Sequence, residues 1–196
     1  MGEAPGSVQK RTLADIERLA QSVRSTVGVG PSGRISMMPL LEFALDSLIN
    51  DAYMQVVSDQ EMDGAEGRTD WHQPVITLAA SSYSALLRSD ARARMTAAHE
   101  LGHLLMHTQQ PVYHYRSRSK DRRGNPEWQD DAFASALLMP REAFKKMKTV
   151  SQAKKTFGVS RGAALVRARI LNMPLIDDTA RRPGGKKKGH GSNRTP

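Results

Sequence analysis

The chain has 196 residues, no cysteine, and 29 basic against 20 acidic side chains, for a formal net charge of +9. That length suits one domain with a real core, the missing cysteines exclude disulfides and thiolate zinc sites, and no apolar run approaches the roughly 20 residues that span a bilayer. The charge is uneven, because residues 181–196 carry six Lys or Arg and no acid, leaving 23 basic against 20 acidic residues, or +3, in the remainder.

The opening Met1-Gly2-Glu3-Ala4-Pro5-Gly6 lacks a basic region followed by an apolar stretch, so no secretory signal is expected and a cytoplasmic location is. Residues 1–10 read as a flexible start. Thr12 is placed to cap a helix with Leu13, Ile16, Leu19, Ala20, Val23 and Val27 at helical spacing, stopped by Gly28, Gly30, Pro31 and Gly33. Pro39 suits the first turn of a second helix, striped by Leu41, Ala44, Leu45, Leu48 and Ile49. Both read as scaffold. Residues 53–57 and 75–78 read as strands of a short antiparallel sheet, separated by an acidic, Gly-containing stretch at 58–70. The second strand, with Pro74 at its start, is expected to offer a free edge for an extended peptide.

The stretch that carries chemistry is His99-Glu100-Leu101-Gly102-His103. Histidines four apart share one helix face and can reach one metal ion, and a glutamate between them can reach water on that ion. The helix is expected to begin near Ser89 or Asp90. From Met95 onward it is apolar on almost every face, through Ala97, Ala98, Leu101, Leu104, Leu105 and Met106. Such a helix is buried, and buried ionisable groups are costly unless paired or metal-bound. Gly102 admits a close helix crossing. His107, one turn on, reads as a capping or packing residue, with substrate binding as the alternative.

A catalytic zinc needs a third protein ligand from elsewhere. Asn125-Pro126-Glu127 reads as cap, first helical residue and first-turn acid, with Glu127, Asp131, Ala134 and Leu138 on one face. Glu127 is the best third ligand, and Asp131 is placed to accept the other ring N–H of a ligating histidine. Asp130 is the nearest rival for the third position, ahead of His72 and His114. The connection at 108–124 is long, basic and aromatic, with Tyr113 or Tyr115 available to stabilise an oxyanion.

Residues 99–107, then Glu127 with Asp131, Phe133-Ala134 and Leu137-Leu138-Met139-Pro140, resemble the ImmA/IrrE family of metallopeptidases. The resemblance runs from about Leu19 to about Met173. It takes in Arg94-Met95-Thr96 before the motif and Phe157-Gly158-Val159-Ser160, Ala164-Leu165 and Arg167 near the end. It implies a zincin-like core and an intracellular protease with a narrow target, typically a helix-turn-helix repressor. Gln129 departs from the family's usual second glutamate.

The expectation is therefore an α+β, predominantly helical fold, with a zincin-like peptidase domain at 11–147, a helix-turn-helix-like segment at 148–175 and a disordered basic tail at 176–196. His99, His103 and Glu127 are expected to bind Zn2+, with Mn2+ as the alternative ion, and Glu100 to act as general base. The protein substrate is expected to be a DNA-binding repressor. Residues Arg161, Arg167 and Arg169 of the C-terminal pair, with the tail, are the weaker candidates for nucleic-acid contact. The competing expectation is a non-catalytic DNA- or protein-binding regulator with a structural metal.

Overall fold

The computed structural model describes residues 8–70, 73–107 and 122–180. His72, His114, Tyr113, Tyr115 and most of the tail lie outside them.

Helix α1 (Leu13–Thr26) opens with a reciprocal cap: the Thr12 hydroxyl accepts from the Asp15 backbone N–H, and the Asp15 carboxylate accepts from that of Thr12. Ile16, Ala20 and Val23 are buried. The helix expected around Pro39 is broken into α2 (Met37–Pro39), a π-helical turn (Leu40–Ala44) and α3 (Leu45–Leu48). The wider turn lets Leu40, Leu41 and Leu45 all face the core and leaves Phe43 80% exposed.

Strands β1 (Tyr53–Val57), β2 (Gly67–Asp70) and β3 (Val75–Ala79) form a sheet in the order β1-β3-β2. The expected antiparallel sheet is in fact mixed: β2 pairs with β3 antiparallel, whereas β1 pairs with β3 parallel, Tyr53 opposite Val75. The strand preceding the motif helix is central, so its edge is not free. Its run Val75-Ile76-Thr77-Leu78-Ala79 is buried at four of five positions, as a central strand is. The free edge nearest the site belongs to β2, a polar Gly-Arg-Thr-Asp strand with little intrinsic β preference that composition could not reveal.

Helix α4 (Ala80–Leu87) leads to the motif helix α5 (Ala91–His107), whose start is capped by Asp90 accepting from the N–H groups of Arg92 and Ala93. A 3-10 turn (Arg122–Gly124) precedes α6 (Pro126–Leu138), which packs along α5 and α1. Then come α7 (Arg141–Phe144), α8 (Val150–Phe157) and α9 (Arg161–Ile170). Ala97, Leu101, Leu104, Phe133, Leu137, Phe157 and Ala164 belong to one core, so the C-terminal helices are part of the same packed body.

The α8–α9 pair has the expected local signals, with Gly158 left-handed at φ 65° and Ser160 capping α9. Its arginines are mostly engaged. Arg167 is fully buried, donating to the Met139 carbonyl and the Glu17 carboxylate, and Arg161 pairs with Asp177. Arg169 is exposed. Residues 176–180, expected to be disordered with the tail, are ordered: Ile176 bonds to Val150 and Lys148, and Asp178 accepts from Ser151.

Candidate metal centre

Helix α5 is buried on most sides yet leaves its two motif histidines partly open, their side chains 20% and 19% exposed for His99 and His103. Asn125 caps α6 by accepting from the Trp128 N–H, Pro126 fills a position that needs no donor, and Glu127 falls in the first turn. Gly102 makes the crossing possible. A Cβ there would lie 3.0 Å from Asp130 Oδ1 and 3.2 Å from Asp130 Cα.

The expected ligands converge. His99 Nε2 is 3.1 Å from His103 Nε2, and Glu127 approaches with Oε2 3.5 Å from the first and Oε1 3.8 Å from the second. Zinc bonds of about 2.0–2.1 Å in a tetrahedral arrangement imply donor separations of roughly 3.3 Å, so this set fits such an ion. The opposite ring nitrogens point at carboxylates: His99 Nδ1 is 3.0 Å from Asp131 Oδ1, and His103 Nδ1 is 3.0 Å from Asp130 Oδ2. With those nitrogens donating, the two Nε2 lone pairs face each other, an arrangement that requires a cation or proton between them.

The charges follow. Burial works to lower the His99 pKa, but the carboxylates of Asp131 and Glu127 push it up to about 10. Burial is likewise outweighed at His103, which Asp130 shifts upward. The imidazole of His99 holds Glu127 below the usual carboxylate range.

Glu100 packs against β2. Its Oε2 accepts from the Thr69 hydroxyl at 2.7 Å, and that hydroxyl is also 2.9 Å from the Glu100 carbonyl oxygen. Burial pushes the Glu100 carboxyl pKa up against the stabilising Thr69 hydrogen bond. Gly67 makes room for it, since a Cβ there would lie 2.8 Å from Glu100 Cγ. Neither Gly67 nor Thr69 was legible as a site residue, because both fall in a stretch whose polar composition reads as a loop. Asp130, the rival for third ligand, stands behind His103 instead of at the point of convergence. His107 is buried beside it, Nε2 3.2 Å from Asp130 Oδ1.

A helix bearing His-Glu-x-x-His, crossed by a second helix that adds a carboxylate and set against a small sheet, defines the class: a peptidase-type architecture around a candidate metal centre. The chain belongs to the Peptidase M78 family, whose IrrE N-terminal-like domain matches residues 54–169. Comparison with curated proteins gives no match. A similar solved structure is a transcriptional regulator from Mycobacterium tuberculosis, with a TM-score of 0.52 and 19% identity over 78% of this chain and 46% of that one. The chain thus shares a fold with that neighbour and spans less than half its length.

Proposed function

We propose that the protein is a zinc-dependent endopeptidase, its ion held by His99, His103 and Glu127, with Mn2+ able to use the same nitrogen and carboxylate donors. The observation that carries this reading is the facing pair of imidazole Nε2 atoms, 3.1 Å apart, beside the Glu127 carboxylate. When bound, the ion supplies Lewis acidity towards a peptide carbonyl and lowers the pKa of water to about 7.

The chain's own groups supply the rest. Glu100 takes a proton from the attacking water onto a carboxylate oxygen and returns it to the leaving amine nitrogen, so that water and one peptide bond give a carboxylate and an amine. Thr69 holds Glu100 at one oxygen during that exchange. Asp131 fixes the orientation of His99 through Nδ1. Glu127, its side chain 53% exposed, leaves the ion's position open to substrate on that side.

We assign as substrate a regulatory protein, a DNA-binding repressor of helix-turn-helix type cleaved in the cytoplasm. The family membership and the fold shared with a transcriptional regulator support this reading. The competing reading, a regulator that binds DNA through its C-terminal helices, is weakened by the burial of Arg167 and the pairing of Arg161. The test is to incubate zinc-loaded protein, and Glu100→Gln, with the repressor encoded beside it and to read intact masses. The account expects two products whose masses sum to substrate plus one water, absent with the variant and with chelator. Cleavage by Glu100→Gln at the wild-type rate overturns the assignment.

A further inference from the structure

Asp130 is an aspartate with no exposed surface, on the one turn of α6 that also carries Glu127 and Asp131. A carboxylate so placed is costly unless donors surround it. The groups facing it are His103 Nδ1, 3.0 Å from Oδ2, and His107 Nε2, 3.2 Å from Oδ1. Both contacts are close approaches and not well-aligned hydrogen bonds, and among the described residues neither Asp130 oxygen nor His107 Nε2 has a hydrogen-bond partner of good geometry. His107 is itself buried, with 2% of its side chain exposed. The result is a closed row of His107, Asp130 and His103, ending at the His103 Nε2 that faces His99. It differs from the support behind the other imidazole, because the Asp131 side chain is 69% exposed.

The geometry points to Asp130 and His107 as a buried positioning unit that fixes the ring angle and tautomer of His103, so that metal retention depends on two residues that never touch the ion. This rests on the reading of His103 as a ligand. With its Nδ1 turned towards Asp130, His103 presents Nε2 to the centre. His107 Nε2, set against the other oxygen, keeps Asp130 from turning. The space is reserved by Gly102, where a Cβ would stand 3.0 Å from Asp130 Oδ1. Water can replace the exposed Asp131 at His99 but has no access to the buried Asp130, so the two carboxylates are unequal in effect.

The experiment is zinc titration of the purified full chain against a chromophoric chelator, for wild type, Asp130→Asn, Asp131→Asn, His107→Leu and His107→Gln. Circular dichroism melting of each metal-free form and the visible absorption of its Co2+ derivative accompany the titration. Asp130→Asn should weaken zinc binding about 10- to 100-fold, and Asp131→Asn by less. His107→Leu should weaken it as well, with His107→Gln, which keeps an N–H donor, recovering much of the loss. The Co2+ absorption of Asp130→Asn should change even though its metal-free form melts like wild type. Should Asp130→Asn fail to fold, the contrast between His107→Leu and His107→Gln decides the matter alone.

Unchanged affinity in a folded Asp130→Asn, or equal behaviour of the two His107 variants, overturns the proposal. So does binding of two zinc ions per chain, which would make His103, His107 and Asp130 a second metal site. A wild-type chain that binds no zinc overturns the metal-centre reading itself and takes this inference with it, whereas normal wild-type binding with unaffected variants overturns this inference alone.

Discussion

Two buried polar regions of the molecule are built on opposite terms. Arg24, Arg94 and Arg167 are buried cations that end mainly on backbone carbonyls near helix C-termini: Arg24 on Leu137, Arg167 on Met139, and Arg94 on Phe157 and Gly158. Each satisfies orphan carbonyls at the negative end of a helix and ties distant parts of the chain together. Around the N-terminal end of α6 the order is reversed. There Glu127, Asp130 and Asp131 meet histidines, and two imidazole nitrogens face each other 3.1 Å apart. The arginine region is satisfied mainly by the chain's own carbonyls, whereas the facing imidazoles of the histidine region need a proton or a cation between them.

The comparison can be broken at several points. The largest effect is expected at Glu100, where Glu100→Gln should slow cleavage by about 10²- to 10⁴-fold while zinc content and melting temperature stay as in wild type. In the other region, Arg167→Met leaves the Met139 carbonyl without its donor and Glu17, among the described residues, with only the longer contact to Arg141. It should cost about 3–5 kcal/mol in urea denaturation, with zinc stoichiometry unchanged in the folded fraction; a loss of zinc without loss of stability would erase the distinction between the regions.

A pH dependence should follow from His99. Its pKa in the metal-free fold is about 10 against 6.5 for the free side chain, so its stabilising contribution is present in full below about 6.5 and disappears as pH rises through about 10. Chelator-treated protein should therefore melt at lower temperature at the upper end of that window than at the lower end. A melting temperature that climbs instead would show that the imidazole is not held by the Asp131 and Glu127 carboxylates. The smallest effect is expected for Thr69→Val, which removes one hydrogen bond from Glu100 at nearly constant volume. Turnover should fall about 10- to 100-fold, in keeping with the roughly 1.5–3 kcal/mol of a hydrogen bond to a charged group, with zinc affinity unchanged.

Much of the site was legible because its residues obey a helix's own geometry. His99 and His103 share a face by spacing alone, and the Asn125-Pro126-Glu127 start is a local signal that survives in the structure as a capped helix. What escaped depends on contacts between distant segments. Thr69 and Gly67 matter only because β2 lies against α5, and a polar four-residue strand leaves no periodicity by which to place it. Asp131 was read as the partner of a ligating histidine, but Asp130, read only as a rival third ligand, was not placed behind His103, since adjacent helix residues diverge by about 100° and the rotation of α6 against α5 sets which imidazole each meets. The buried role of Arg167 was equally hidden. A basic residue on a short C-terminal helix reads as a nucleic-acid contact until Glu17, on the first helix, is found beside it.

The most direct test of the central claim is metal stoichiometry after exhaustive dialysis against a zinc buffer, on wild type and His103→Ala together. The account predicts one zinc per wild-type chain and none held by His103→Ala, whose metal-free circular dichroism matches that of wild type. Stoichiometric zinc in a folded His103→Ala protein would contradict it.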